Sequence, residues 1–593
     1  MQFKSIVFFD CFLILLYIIN TGPFSHFPVY LLKISGGFMS ALSRRSFLSS
    51  CGAGVAALAS LPKTSLAKSS ASQPNIIFIM ADDMGYGDLA CYGHPEIKTP
   101  HLDQLATEGM KFTDCYSAAP VCSPARAGFL TGRTPNRCRI FDHLGSNRWQ
   151  HQDDRYLAVT EQTIPKLLKS VGYTTCLVGK WHLTQGFHNG IHNTKMPTDL
   201  PMPDDHGFDH YMATENNADP DHCNPRNFVR NGQAVPQTSN CSNDAIVDEC
   251  IDWLENTRDK NKPFFQFVAL HSPHEPIDNP PEYTAMYDTG DNNKNKYYGN
   301  ITHIDDTVHR LIEYIDTHSL KDNTFIFFTS DNGPEPPTHW WAHHPYGSTG
   351  GLSCAKLTLY EGGIKEPGIA RWPGVITPGS VSSVAISGVD FLPTFCEMSG
   401  ASVPTDRYLD GTGVVEAFKG NPVTRTRPLI WKYHYAETCD AQKPADHDSN
   451  KPHIVMRDGD WKLCSNKAYG HTKLFNLATD PNETSDVKGG NQAIHDRMLA
   501  KLKEIDAIII QEEAAVDPIT LPSTILRTKP VAADRAKLNV DIVTIAGKKV
   551  TSFTTADRTI SLKKLRLPRA LYVVRVNGKH LKTVARDARL RLR

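Results

Sequence analysis

The stretch from Cys122 to Arg133 reads C-S-P-A-R-A-G-F-L-T-G-R and sets a sulfur where a helix should begin. Ser123 can act as an N-cap, and Pro124 suits the first helical position, where its missing N–H costs nothing. The free N–H groups and dipole of a helix start favour an anion. Arg126 lies one turn further on and Arg133 follows the helix, so positive charge is expected around the sulfur. Four apolar runs end in polar groups of a different kind. Asn75–Met80 leads to Asp82-Asp83, Tyr173–Val178 to Lys180-Trp181-His182, Pro263–Leu270 to His271, and Thr324–Ser330 to Asp331-Asn332. Continuous apolar runs of this length suit strands buried on both faces. In an open α/β sheet, ligands bind outside the carboxyl ends of the strands. Adjacent carboxylates at such an edge repel unless a cation lies between them, and hard oxygen donors suit calcium or magnesium better than zinc. Lys180 and His182 alternate, so both can project to one side of an extended segment.

The run C-x-P-x-R followed by T-G-R at 122–133 resembles the activation signature of the type I sulfatases of the alkaline phosphatase superfamily. It is closest in kind to the arylsulfatase and N-acetylgalactosamine-sulfatase branch. Asp82-Asp83, Gly179-Lys-Trp-His182, Lys356 ahead of Tyr360-Glu-Gly-Gly363, Asp390 with Pro393, and Leu474–Pro481 are similar to further signatures of that family. The resemblance covers residues 74 to 515. It implies an α/β fold, a large mixed sheet sandwiched by helices, with a smaller C-terminal α+β subdomain. It implies hydrolysis of sulfate esters by a formylglycine that a sulfatase-maturation enzyme makes from Cys122. It also implies one divalent cation, Ca2+ or alternatively Mg2+, on Asp82, Asp83, Asp331, Asn332 and the oxidised residue 122. Arg126 and Lys180 would anchor the aldehyde hydrate and the sulfate, and Lys356 would neutralise sulfate oxygens. His271 is assigned as general acid, because a sugar alkoxide leaves poorly without a proton, and His182 as the base. Two rival expectations are a phosphate or phosphonate ester hydrolase of the same superfamily and a non-catalytic glycan-binding relative.

The elements that must hold these residues follow from periodicity. Helices are expected over 101–110, 163–171, 244–258, 301–318, 387–400 and 492–513, and short antiparallel strands after residue 421. Long polar loops carry specificity on such scaffolds. His188, His192 and Arg226 are therefore candidate substrate contacts. So are Trp340, Trp341 and His343, which form either a transition-metal site or, as preferred here, a carbohydrate platform.

The chain divides into an export segment (1–73), a catalytic domain (74–420), a small subdomain (421–517) and a basic β-rich tail (518–593). Ser43-Arg-Arg-Ser-Phe-Leu48 followed by an apolar run resembles a twin-arginine export signal over 43–67. Met39 is the expected true start, with a membrane-anchored precursor as the alternative. Export machinery is thus a partner, and the location is periplasmic, extracellular or at the cell surface. Of 14 cysteines, eleven remain outside the leader and the motif, without metal-type spacing. Formal net charge is zero, yet residues 521–593 hold 18 Lys and Arg against four Asp and no Glu. That tail resembles a sorting domain of secreted bacterial proteins, and a surface for anionic polysaccharide is the competing reading. No nucleic-acid partner is expected; the substrate is a sulfated glycan or a small sulfate ester.

Overall fold

The computed structural model describes residues 73–145, 156–185, 200–336, 345–434 and 451–515, with six strands beyond residue 537. The expected export signal, His188, His192, Trp340, Trp341 and His343 lie outside the described residues. Contacts divide the chain into units 1–71 and 72–593, and the second is the subject below.

The centre of the fold is β1 (Asn75–Asp82), in which every residue is buried. It pairs in parallel with two neighbours, one on each side. We number the other elements of the catalytic domain α1 (Pro100–Glu108), β2 (Met110–Tyr116), α2 (Cys122–Thr131), β3 (Thr174–Lys180), β4 (His210–Thr214), β5 (Phe264–Pro273), α3 (Asn292–Thr317), β6 (Thr324–Ser330), β7 (Lys365–Arg371) and α4 (Phe391–Ser399). The order across the sheet is β2-β7-β6-β1-β5-β3-β4, extended by short strands at both margins. Strands β6, β1, β5, β3 and β4 run parallel, whereas β7 is antiparallel to both β6 and β2, so the sheet is mixed. The parallel strands present their carboxyl ends, and the polar residues that follow them, along one edge.

Aromatic packing fixes the helix that carries the sulfur. Phe78 of β1 stacks on Phe129 of α2 at 4.1 Å and on Phe327 of β6 at 5.5 Å, and Phe391 of α4 meets it edge-on at 4.7 Å. Truncating such a buried ring costs about 3–5 kcal/mol, so Phe129→Ala would loosen α2 first. The helix ends at Gly132, whose positive φ of 68° supplies the left-handed cap. Gly179 answers a different need: a Cβ there would lie 1.8 Å from the carbonyl oxygen of Ala269 on β5.

Two local expectations are corrected. The helix cap is Val121 rather than Ser123, and Cys122 is the first helical residue. The Ser123 hydroxyl instead accepts from the Leu144 amide at 2.9 Å. Strand β2 was not foreseen, because its polar Lys111, Thr113 and Asp114 interrupt the apolar run that marks the central strands.

The C-terminal subdomain is an antiparallel sheet of β8 (Leu429–Lys432), β9 (Ile454–Asp458), β10 (Trp461–Ser465) and β11 (Thr472–Asn476). Alternation along its strands buries both faces. Ile430, Met456, Leu463 and Leu474 pack on Leu502, Ile505 and Ile509 of α5 (Gln492–Ala515). Leu429, Trp431, Val455 and Phe475 pack with Tyr116, Val121, Cys122 and Leu357. The small subdomain therefore helps enclose the sulfur. Beyond residue 537 the strands 538–544, 549–555, 571–576 and 579–585 form one antiparallel sheet, and 559–561 pairs with 589–591.

Candidate active site

Strand ends bring the charged residues together. Asp82 closes β1, and Asp83 follows in the left-handed region with a φ of 66°. Asp331 and Asn332 follow β6, with the Asp331 amide donating to Ala81 carbonyl oxygen at 3.1 Å. The Asp83 amide donates to Asp331 Oδ1 at 3.2 Å, and Asn332 Nδ2 donates to Asp83 Oδ1 at 2.6 Å. These four oxygen-bearing side chains form one buried cluster.

Three cations answer three carboxylates. Arg126 reaches Asp331 Oδ2 through Nε (3.0 Å) and Nη2 (2.7 Å), and its Nη1 donates to the Lys180 carbonyl at 2.9 Å. Lys180 Nζ donates to Asp82 Oδ2 at 2.6 Å and to Asn217 Oδ1 at 3.2 Å. Lys356 Nζ donates to Asp83 Oδ2 at 2.5 Å. Burial opposes the charge on Lys356, but the facing Asp83 carboxylate more than offsets it and holds the ammonium firmly protonated.

The pairing is incomplete. Asp82 Oδ1 and Asn332 Oδ1 are buried without a hydrogen-bond partner. Burial and the Asp82 carboxylate push Asp331 up to about 7, despite Arg126. Unsatisfied buried oxygens are costly, and converging ones invite a cation. Carboxylates with an amide oxygen are the donor chemistry of a hard divalent ion, although Asp331 is not among the groups whose ligand atoms lie within 4.8 Å of one another.

Cys122 lies against this cluster, 2 % exposed. Burial pushes its thiol up to about 12, although Lys180 and Lys356 pull the other way. As a thiol it is thus neutral and a poor nucleophile. Ligand atoms of Asp82, Asp83, Cys122 and His274 all lie within 4.8 Å of one another.

His271 requires a correction. Its ring is fully buried, with Nε2 2.7 Å from Thr214 Oγ1 and Phe228 against its face. Burial, then His222 and Lys180, depress its pKa well below the usual histidine range. The strand β5 continues three residues past the apolar run, to Pro273, so the residue delivered at the sheet edge is His274. His274 Nε2 sits 3.5 Å from Asp83 Oδ2. Asn217 Nδ2 lies 3.0 Å from His274 Nδ1, so Asn217 links His274 to Lys180. Neither His274's position nor Asn217 emerged from sequence reasoning; His274 was visible beside His271, whereas Asn217 carried no signal.

Lys180 and His182 do not share one extended face. The strand ends at Lys180, and His182 turns with a φ of 50°. His182 Nε2 meets the Leu144 carbonyl at 3.1 Å, while its buried Nδ1 has no partner. Burial, Lys180, His143 and Arg126 hold its pKa well below the usual value. Arg133 turns away from the sulfur to Glu161 and Glu512, both at 2.8 Å. Arg226 is exposed and pairs with Asp219 at 3.1 Å. Among the cysteines, Cys223 and Cys241 form a disulfide.

Known proteins resemble this chain in sequence and in fold. A family profile described as Sulfatase matches residues 74–401, and one described as N-sulphoglucosamine sulphohydrolase, C-terminal, matches 354–508. The chain is 31 % identical over 452 residues to N-acetylgalactosamine-6-sulfatase of Canis lupus familiaris, covering 69 % of this chain and 81 % of that protein. It is 29 % identical to arylsulfatase A of Bos taurus, covering 75 % and 89 % respectively. The solved structure of Ps i-CgsB in complex with k-i-k-neocarrahexaose superposes with a TM-score of 0.62 at 26 % identity, over 75 % of this chain and 98 % of that one.

Proposed function

We propose that this chain, which belongs to the sulfatase family and is thus a sulfuric ester hydrolase, acts on sulfated carbohydrate through an aldehyde formed from Cys122. The observation that carries the reading is the convergence of Asp82, Asp83 and His274 on the Cys122 sulfur. A maturation enzyme would oxidise the side chain, whose aldehyde hydrate supplies an attacking oxygen and a second hydroxyl that a thiol lacks. Asp82, Asp83, Asp331 and Asn332 would hold a divalent cation, calcium in our reading, which when bound makes the sulfur of the ester more electrophilic.

The remaining work falls to this chain's own groups. Lys180 and Lys356 are ammonium donors held by Asp82 and Asp83, so they face sulfate oxygens without reorganising. Arg126, locked by its fork on Asp331, fixes that carboxylate and the end of β3. His274, rather than His271, is the proton donor to the leaving alcohol, and Asn217 orients its ring. His182 is kept neutral by burial and neighbouring cations, so its Nδ1 is the proton acceptor that resets residue 122.

A carbohydrate substrate is supported by the named activity of the N-acetylgalactosamine-6-sulfatase relatives and by the carrahexaose bound to Ps i-CgsB. The export-like segment 43–67 points to action outside the cytoplasm, where such polymers occur. The test has two arms. Peptide mass spectrometry on protein from a host with a maturation enzyme should find residue 122 lighter than cysteine, as an aldehyde. Defined sulfated saccharides should be desulfated far faster than an aryl phosphate is hydrolysed. An unmodified thiol in fully active protein, or a preference for phosphate, would overturn the proposal.

A further inference from the structure

A second cavity, of about 410 Å³, opens where the C-terminal sheet meets the segment that follows Lys356. Its wall includes Tyr360, Asn466, His471, Lys473, Asp486 and Lys488, none of which has a part in the chemistry above. Its volume falls within the range of about 300–1,000 Å³ typical of small-molecule sites.

The cavity lies at the end of the small sheet that borders the sulfur. The Tyr433 amide donates to the His453 carbonyl, and the His453 amide to the Ser465 carbonyl at the cavity wall, both at 2.9 Å. The Tyr433 hydroxyl in turn donates to Asp142 Oδ1 at 2.8 Å. Two residues on, Leu144 meets both His182 Nε2 and the Ser123 hydroxyl beside Cys122. Tyr360 lies four residues after Lys356 in the chain.

Its chemistry suits an anion carried on a ring. Lys473 is exposed, its Nζ 3.4 Å from the Tyr360 hydroxyl and 5.7 Å from the ring centre, and it pairs with no carboxylate among the described residues. The one acid in the wall is already engaged: Asp486 Oδ1 accepts from the Leu474 and Lys488 amides, both at 3.0 Å. Lys488 Nζ donates to the Thr472 carbonyl at 2.7 Å and lies 3.8 Å from Asp486, which leaves Lys473 as the available cation. His471 is exposed beside it. A flat aromatic face next to a cation can stack a sugar while neutralising its sulfate or carboxylate.

We infer that this cavity is a subsite for a second, anionic sugar of the substrate chain, bound by Lys473 and Tyr360 while the scissile sulfate lies over residue 122. The inference rests on the sulfated-carbohydrate reading and adds the charge and length that the substrate must have.

The decisive variant is Lys473→Ala, with Lys473→Arg as the charge-retaining control. On nitrophenyl sulfate and on N-acetylgalactosamine 6-sulfate, kcat/KM should stay within about twofold of wild type, because neither reaches the cavity. On sulfated tetrasaccharides of chondroitin sulfate and of carrageenan it should fall roughly tenfold, the loss of one charge-assisted contact. Lys473→Arg should recover most of that loss. An effect confined to chondroitin would assign the carboxylate, and an effect on both would assign the sulfate. Equal losses on all substrates, or none on the tetrasaccharides, would overturn the subsite. Calorimetry in a Cys122→Ala background reads the cavity without turnover: adding Lys473→Ala should raise the tetrasaccharide Kd roughly tenfold and leave the monosaccharide unchanged. If wild type desulfates no saccharide but this difference holds, the functional reading fails and the subsite survives. If tetrasaccharides are desulfated and Lys473→Ala changes neither rate nor Kd, the subsite alone fails.

Discussion

Two clusters among the described residues each set three acids against three bases, and they differ in how those acids are met. At the sheet edge Asp82, Asp83 and Asp331 face Arg126, Lys180 and Lys356. At the boundary with the small subdomain, Asp114, Glu361 and Glu483 face Lys365, Arg457 and Lys462. In the boundary cluster each carboxylate has a cation close by, although Glu483 Oε1 makes no hydrogen bond. Lys462 Nζ reaches Glu361 Oε1 and Glu483 Oε1, both at 2.8 Å, and Glu361 Oε2 accepts from the Tyr116 hydroxyl at 2.6 Å. Glu483 Oε2 accepts from the Glu361 amide at 2.6 Å, and Asp114 is held by Lys365 at 2.7 Å and Arg457 at 2.9 Å. At the sheet edge Asp82 Oδ1 and Asn332 Oδ1 have no such partner. Net charge is therefore a poor guide to function. What separates the two clusters is distance: Lys462 stands 2.8 Å from Glu483 Oε1, whereas the Arg126 guanidinium stands 3.8 Å from Asp82 Oδ1.

The contrast can be tested by breaking each side. Cys122→Ala should abolish turnover, leaving at most a trace, while circular dichroism and the melting temperature stay near wild type. Full activity in that variant would remove the mechanism altogether. Chelation of divalent ions should come next, with activity lost at least about 100-fold and restored by calcium, because the orphan oxygens then lose their partner. The acids of the boundary cluster are held by this chain's own cations, so the same treatment should not separate the small subdomain from the catalytic domain, as limited proteolysis would report.

Lys462→Met should act in the reverse sense. It leaves Glu361 and Glu483 buried together without a cation, a loss of about 3–5 kcal/mol readable as a fall in the urea midpoint. Turnover by the fraction that remains folded should change far less than in the chelated enzyme. A large loss of kcat with no loss of stability would mean that the boundary is part of the reactive machinery.

Smaller effects sharpen the sheet-edge assignment. His274→Ala should slow sugar sulfates by about 10²–10⁴-fold and nitrophenyl sulfate much less, since a good leaving group needs little protonation. His271→Ala, by contrast, should lower stability without discriminating between the two substrates. Equal losses from His274→Ala on both would reassign that ring to sulfate binding. The pH profile carries a sign as well. Burial, Lys180, His143 and Arg126 lower the pKa of His182, so it stays an unprotonated acceptor in more acid solution than an ordinary histidine. The acid limb of kcat on an aryl sulfate should therefore fall below pH 6.5, the usual histidine value. A limb above that value would exclude His182 as the base. Deleting residues 521–593 is expected to have the smallest effect, with kcat on a small ester unchanged because every assigned catalytic group lies upstream.

Local sequence determined a good deal about this protein. Largely apolar runs marked strands buried on both faces, and three of the four were followed directly by residues that the sheet edge collects: Asp82-Asp83, Lys180 and Asp331-Asn332. The Cys122 motif announced its helix start, whereas the left-handed cap at Gly132 became visible only in the structure. Tertiary structure decided the rest. Whether β5 ended at Leu270 or Pro273 depended on pairing with β1 and β3, so the histidine at the sheet edge is His274 rather than His271. Whether Arg133 faced the sulfur depended on Glu512, a residue far along the chain. Asn217 sits in an irregular loop and became part of the site through Lys180 and His274 alone. Side-chain type and period are local quantities, whereas hydrogen-bond satisfaction is settled between distant segments. That is why the residue types at the strand ends could be read from the chain and the partner of each oxygen could not.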